Sequence, residues 1–412
     1  MKPTQIYSLL NDINGQMFGS DAIAVNDLSG IISMGRSIVG NANNTDAFLG
    51  KLVDRIGKTV IRTLDLELDF PALFMDSFEF GAVLQKINVN PFDAIENVAE
   101  EVGDVGFTPS LLDIHKPSIF VRYFSDSTTA KWQVTIPDTM FMSAFDSEER
   151  MSQFVDAIIK AMTDSVTISI NNMSRTAVNN FIAEKFKASN NCINLLTGYN
   201  AIAATPITAA KCMYDREFLR YAVNEIRKYI KYLSQPSVLY NMGDGSGGSV
   251  VRTTARDNMH VLCLTNFVAS VEAFLQNGDQ VMHNEFLTLP GYTEVAYWQG
   301  NKGATSTNDF ATNSSIKVTP SSEAGAQSPT DVEQSGIIAV LADRQAIAVG
   351  ISRRHTGTFY NSIDQYSNMS MSFVEQWIND TSENGVIFYV EDSNSVNPSV
   401  NPNTRTTKAS TK

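Results

Sequence analysis

From Asp138 to Leu196 the chain contains neither glycine nor proline. Few folds use so long a stretch without a helix breaker, because either residue inside a helix costs free energy. Within it Met151, Phe154, Val155, Ile158, Ile159 and Met162 recur at i, i+3, i+4, i+7, i+8 and i+11, one face of an amphipathic helix. The pattern resumes at Met173, Ala177, Val178, Phe181 and Ile182, and Asp146 with Glu149 supplies a D-x-x-E start signal. Thr167–Ile170 is rich in β-branched residues, and a kink or interruption is expected there if anywhere. Continuous to Phe186, the helix would be about 58 Å long, suited to a spine crossing a flat molecule.

Strand signals surround this helix. Gly336–Ile351, GIIAVLADRQAIAVGI, reads as two apolar strands, Ile337–Leu341 and Ala346–Ile351, joined by a polar corner at Asp343 and Arg344. A basic, aromatic segment follows (Arg353, Arg354, Phe359, Tyr360), then a last strand, Gly385–Val390. Upstream of the helix, Phe78–Val89 and Ile119–Ile136 are strand-like, the second with a polar break at Ser125–Thr129. Asn90–Ser110 between them is turn-rich and acidic through Glu96, Glu100, Glu101 and Asp104. A long two-stranded projection is expected. An isolated hairpin is marginal in water, so it should lie on something, such as another copy.

Residues 1–47 are rich in Asn, Gly and Ser, with a short apolar pattern at Ile31, Ile32 and Ile38. They read as an arm ordered by a neighbour or as a disordered tail. In residues 48–64, Leu52, Val53, Ile56, Val60 and Ile61 repeat near helical spacing, and Gly57 favours a helix turning into a strand. Residues 197–335 look like a separate unit: a helix at Glu217–Leu233, a buried strand at Val261–Leu264, and a helix to Gln276 capped by Asn266. Gln299–Ser335 is polar and low in complexity, a mobile surface loop by expectation, and Val396–Lys412 a disordered tail.

Composition limits function. A length of 412 residues allows two or three units, and 43% hydrophobic residues supply a core. Mean hydropathy is −0.11, and no apolar run approaches the roughly 18 residues of a membrane span. The start, MKPTQIYSLLNDING, has no secretory-signal pattern, so a cytoplasm is the expected compartment. Cys192, Cys212 and Cys263 are widely spaced, odd in number and without a C-x-x-C, as reduced structural thiols would be. A net charge of −13 makes the chain a poor non-specific binder of nucleic acid and keeps it soluble.

No constellation of residues makes a convincing catalytic site. Asn241–Ser249 holds a formal G-x-G-x-x-G at Gly243, Gly245 and Gly248, but the following SVVRTTARDNMHVLCL does not read as the required helix, and position 268 is Val. The same glycines resemble a serine-protease G-D-S-G-G split by an extra glycine, with no His and Asp segments placed for a triad. His115, His260, His283 and His355 share no metal-ligand spacing; His283 near Glu285 comes closest. No catalytic residue, cofactor or metal is therefore expected.

The collinear order is arm, long hairpin, long helix, mobile-tipped unit and returning strands. It resembles the α+β shell fold of tailed-phage and herpesvirus major capsid proteins, the HK-ninety-seven type. LVDRIGKTVIR at Leu52–Arg62 is similar to the segment before the E-loop in the major head proteins of the short-tailed phi-twenty-nine group. SIFVRYFSDSTTAKWQVTIPDTMFMSAF at Ser118–Phe145 is similar to that group's E-loop return. VVRTTARDNMHVLCLTN at Val250–Asn266 resembles its axial-domain strand, and Arg344 to Tyr360 its peripheral strands. Some relatives carry a C-terminal immunoglobulin-like domain, for which too few residues follow Val390.

The resemblance implies an N-terminal arm at 1–47, a segment leading into the peripheral domain at 48–64, and an E-loop hairpin at 65–138. It further implies a peripheral domain with its spine helix at 139–196, an axial domain at 197–345 with a mobile loop at 299–335, peripheral strands at 346–395 and a disordered tail at 396–412. The implied function is a major capsid protein, not an enzyme, that self-assembles as hexamers and pentamers into an icosahedral or prolate head. Its implied partners are a scaffolding protein, a portal protein and the enclosed double-stranded DNA, weakly and non-specifically contacted. Assembly would occur in the bacterial cytoplasm, with no membrane involved. Candidate inter-subunit contacts are Asp54 and Arg55 before the loop, Arg122 on its return, and Arg353 and Arg354 near the end; each would serve equally in an intrachain salt bridge. A tail or decoration component, or a cytoplasmic enzyme, is the alternative; the first would lack the long helix.

Overall fold

A computed structural model describes residues 3–19, 22, 24–26, 28–39, 44, 47–48, 50–51, 69–74, 84–91, 119–124, 127–137, 139–140, 143, 148–243, 248–275, 291–299, 310–323, 329–361 and 363–392. The chain forms two compact units: residues 1–81, 126–174 and 349–376 in one, and 82–125, 175–348 and 377–412 in the other.

The long helix is real and unbroken. Helix α3, Glu148–Lys187, has 40 residues, about 60 Å of rise, and Thr167–Ile170 passes through it without a break. A single helix tolerates β-branched residues when packing outweighs propensity. The start signal at Asp146 lies outside the described residues.

In the first unit, the inward face of this helix (Met151, Phe154, Ile158, Met162, Val166, Ile170) joins one hydrophobic core with α1 (Pro3–Phe18) and α2 (Leu28–Val39). Residues of the expected arm thus form two helices whose Leu10, Ile13, Ile31, Met34 and Ile38 are buried. The link between them is held by Asn11, whose amide donates to the Val25 carbonyl (2.9 Å) and accepts from its N–H (2.7 Å). A three-stranded sheet in the order β10 (Ile347–Asn361), β11 (Tyr366–Asn379), β3 (Ser127–Pro137) completes the unit. The β11–β3 register runs antiparallel from Tyr366 opposite Pro137 to Gln376 opposite Ser127. Alternation puts Met369, Met371 and Phe373 into the core, with Trp132 edge-on to Phe373 at 5.4 Å. Glu375 sits on the same buried side; burial pushes its carboxyl up, while the hydrogen bond from Ser169 Oγ (2.7 Å) opposes the shift.

The second unit is built on a five-stranded mixed sheet ordered β4 (Cys192–Asn194), β12 (Gly385–Tyr389), β9 (Ile337–Asp343), β5 (Met259–Leu264), β6 (Gly291–Val295). All residues of β9, β5 and β12 are buried, which explains their continuous apolar runs. The polar corner after β9 is an Asx turn: Asp343 accepts from the Gln345 N–H (2.8 Å) and from Thr254 Oγ1 (2.7 Å). The two apolar strands expected in Gly336–Ile351 therefore exist, but β9 and β10 enter different sheets.

Helices α4 (Leu195–Asn200), α5 (Arg216–Leu233) and α6 (Thr265–Leu275) belong to the second unit, with α5 packed on α6. Asp215 caps α5 by accepting from the Phe218 N–H at 2.7 Å. Helix α6 starts at Thr265, so Asn266 lies in its first turn instead of capping it.

Part of the expected mobile loop is ordered. A short helix at Phe310–Asn313 leads into a small ribbon of β7 (Ile316–Val318) and β8 (Val332–Gln334). Ser321 and Ser322 hydrogen-bond to Asn180 and Glu184 of α3, and buried Trp298 donates to the Ile337 carbonyl (2.9 Å). Residues 301–309 and the tail beyond 392 lie outside the described residues.

A candidate assembly surface

The expected hairpin begins as a two-stranded ribbon in the second unit, but its second strand, expected over Ile119–Ile136, divides: Ser127–Pro137 is β3 and pairs with β11 instead. Strand β1 (Leu84–Val89) runs antiparallel to β2 (Ile119–Phe124), with Lys86 opposite Arg122, Ile87 opposite Val121 and Val89 opposite Ile119. Its tip, residues 92–118, lies outside the described residues, as does the acidic cluster expected there.

The ribbon inverts the usual rule of apolar in, polar out. Side chains alternate across a strand, so Ile87, Val89, Ile119, Val121 and Tyr123 share one face. All five are exposed, Ile87 at 61% and Tyr123 at 65%. The opposite face carries Lys86, buried Asn88, Phe120 and Arg122. A contiguous exposed apolar face on a soluble chain marks an interaction site.

The polar face is held down by carboxylates. Lys86 and Arg122 are like charges directly across the ribbon, an unfavourable pair alone. Asp380, fully buried in the loop after β11, receives both: Lys86 Nζ at 2.8 Å and Arg122 at 3.0 Å. Ser382 adds its N–H (2.9 Å) and hydroxyl (2.6 Å) to the same carboxylate. Burial pushes the Asp380 carboxyl up, but Lys86, Ser382 and Arg122 outweigh it and hold the group below its ordinary value. Glu383 extends the network to Lys86 (2.6 Å) and Arg252 (3.2 Å), and the Arg252 guanidinium lies 5.9 Å from the Phe120 ring centroid. The result is a desolvated ion cluster that fixes which face of the ribbon points outward.

Of the residues singled out in the sequence, Arg122 is thus found in an intrachain ion pair. Arg353 and Arg354 lie on β10, their side chains outside the described set, and Asp54 and Arg55 lie outside it altogether. Lys86, Asp380, Glu383 and Arg252 escaped the sequence reading. The one local signal, for Lys86, is a cation at the inward position of its strand, opposite the inward Arg122 of β2.

The other candidate motifs, where described, take up structural positions. Gly243 (φ +74°) closes a turn in which Asn241 accepts from its N–H (2.9 Å), and residues 248–255 do not form the helix a dinucleotide site needs. His260 is buried on β5, and His355 is exposed on β10; His115 and His283 lie outside the described residues. Burial pushes the Cys192 and Cys212 thiols up to about 12 and the Cys263 thiol higher still, so all three are unreactive near neutrality. Among the described residues no group of three or more His, Cys, Asp or Glu is placed to hold a metal ion, and no helix is long and apolar enough to cross a membrane.

Known proteins resemble this chain in sequence and in fold. Residues 8–389 match the profile of the Phi29-like phage major capsid protein. The major capsid protein of Streptococcus phage Cp-1 is 24% identical over 189 residues, which is 45% of this chain and 48% of that protein. The match thus spans about half the length of this curated relative. Among solved structures, the capsid of Staphylococcus phage Andhra has a TM-score of 0.53 at 10% identity, covering 80% of this chain and 86% of that one. A chain from the structure of head fiber and inner core protein gp22 of native bacteriophage P68 has a TM-score of 0.50 at 10% identity, covering 79% and 85%. At such identities the likeness establishes the fold alone, the α+β HK-ninety-seven-type shell fold. By its profile match from residue 8 to 389, the chain belongs to the Phi29-like phage major capsid protein family.

Proposed function

We propose that this chain is the shell subunit of a phage head, assembling as hexamers and pentamers into a closed icosahedral or prolate shell around double-stranded DNA. The axial domain (197–345) makes the contacts within each capsomer, and the E-loop, the part of 65–138 that begins in the β1–β2 ribbon, lies across an adjacent copy. A scaffolding protein guides assembly in the host cytoplasm, a portal protein occupies one vertex, and no catalysis is involved.

The observation that carries this reading is the outward apolar face of Ile87, Val89, Ile119, Val121 and Tyr123. A monomer gains nothing from such a face, whereas a subunit in a lattice buries it at every repeat. The Asp380 cluster supports the reading because it presents that face in one orientation. Within this scheme Arg122 fastens the base of the loop, and Asp54, Arg55, Arg353 and Arg354 remain the proposed charged contacts between copies.

The test is co-expression with the candidate scaffold gene, followed by electron microscopy and sedimentation. Closed shells of uniform diameter are expected. Small soluble oligomers alone, with the scaffold verified as present, would overturn the proposal.

A further inference from the structure

One concave surface of this acidic chain gathers the opposite charge. Helix α5 buries Phe218, Ala222, Ile226 and Ile230, and its water-facing side carries Arg216, Arg220, Asn224, Lys228 and Lys231 at helical spacing. The last two turns of α5, together with Arg256 from the single turn Arg256–Asn258, enclose a cleft of about 530 Å³. Arg227, Lys228, Lys231 and Arg256 line it beside Asn224, Ile230 and Ser234, and among the described residues no carboxylate does. The two acids of the helix sit in pairs within it, Glu217 with Arg220 at 3.7 Å and Glu225 with Lys228 at 2.5 Å.

Two simpler explanations fall short. Cations in the last turn of a helix complement its dipole, which accounts for Lys231. That effect fades within one turn and does not account for Arg256, which arrives from a different element. A solvated helix face needs charge, but in a chain of net charge −13 it has no need to collect cations in one concavity. Like charges placed together are mutually destabilising until an anion shares them.

We propose that this cleft binds the phosphodiester backbone of duplex DNA. The inference rests on the shell-subunit reading, which puts packaged duplex DNA beside the protein. The overall negative charge does not forbid it. At physiological salt the Debye length is about 8 Å, so remote carboxylates are screened while the cleft cations act at contact distance. Lys228 is already answered by Glu225; Lys231 and Arg256 together predict a contribution of about −1.8 to the logarithmic salt slope, roughly a tenfold loss of affinity over a fourfold rise in salt.

The experiment is fluorescence anisotropy of a labelled short duplex titrated with the full, unassembled chain across a salt series. Lys231→Gln/Arg256→Gln should reduce the slope magnitude by about 1.8, and Lys231→Arg/Arg256→Lys should restore it. Lys160→Gln/Lys211→Gln, which removes equal charge at exposed sites elsewhere, should leave it unchanged. An unaltered slope in the first variant would overturn the proposal. So would tighter binding of a poly-glutamate peptide than of the duplex, which would assign the cleft to an acidic protein segment. Shell formation by the wild-type chain is scored separately. If shells form and the cleft fails, only this inference falls; if shells never form, the shell reading falls first.

Discussion

Arg122 and Asp380 stand 258 positions apart in sequence and meet through a 3.0 Å hydrogen bond. Lys86, directly across the ribbon from Arg122, reaches the same carboxylate. Without Asp380 two cations would face one another in a largely desolvated site. Asp380→Ala is expected to cost about 3–5 kcal/mol of unfolding free energy, read by denaturant titration of the unassembled chain. A loss of about 1 kcal/mol or less would mean that water screens the cluster as it does a surface pair.

Acid should weaken the fold in two windows. Burial, reinforced by the Arg344 guanidinium and opposed by a backbone hydrogen bond there, pushes His260 from 6.5 down to about 4. As pH falls below 6.5 the unfolded chain takes up this proton first. Stability present above 6.5 is therefore lost progressively down to pH 4, about 3 kcal/mol in full. Asp380 acts later: its contribution is present above 3.8 and lost as pH falls through its still lower folded value. His260→Leu should flatten the first window and leave the second. A variant that tracks the wild type between pH 6.5 and 4 would refute this assignment.

The sequence made legible what repeats locally and hid what is assembled from afar. Helix α3 was visible because its core face recurs over ten turns without a breaker, and β9 and β12 because a strand buried on both faces reads as an unbroken apolar run. Helices α1 and α2 were hidden because Asn, Gly and Ser dilute their pattern, and their Leu10 and Ile31 become core residues only against α3 and the sheet. The small ribbon of β7 and β8 was hidden because strands so short carry no period and are held by side chains of α3. The five exposed apolar residues of β1 and β2 were expected to be strand, and their strand pairing is what the structure adds. Nothing in the local pattern tells which face is outward; Asp380, far along the chain, decides that.

Lys185 offers a test with the opposite sign of substitution. It is fully buried in the second half of α3, donates weakly to the Tyr240 carbonyl (3.4 Å) and lies 5.6 Å from the Phe181 ring centroid. Burial pushes its ammonium down to about 8, against the pull of Cys192 and Asp380. A lowered value means the stability contribution is complete above 10.5 and lost as pH falls through 8. At neutral pH the fold thus carries the cost of a desolvated cation. Lys185→Met should stabilise the chain at neutral pH by about 3 kcal/mol, with the gain vanishing toward pH 10.5. A less stable variant at neutral pH would show that its partners fully compensate the charge.

Gly336 opens β9 with φ +75°, and a Cβ there would collide with the carbonyl oxygen of Val390, whose own N–H bonds back to the Gly336 carbonyl at 2.8 Å. Both the left-handed backbone and the close approach exclude a side chain. Gly336→Ala should destabilise the second unit by about 1–3 kcal/mol, seen as a lower thermal midpoint. Since β9 is the central strand of the five, amide exchange should accelerate in β12 as well. A midpoint equal to the wild type would mean the strand start shifts to relieve the contact.

The exposed face of the ribbon separates folding from assembly. Ile87 and Tyr123 are largely exposed, so Ile87→Asp/Tyr123→Asp should leave the unfolding free energy of the isolated subunit within about half a kcal/mol of wild type. Between copies the same change removes apolar burial worth about 1.5–3 kcal/mol per large side chain, roughly a tenfold to hundredfold weakening of each contact. Because a shell repeats the contact at every subunit, the yield of closed particles should collapse while soluble protein rises, which sedimentation of the co-expressed lysate resolves directly. Normal shells from this variant would assign the face to something other than a second copy.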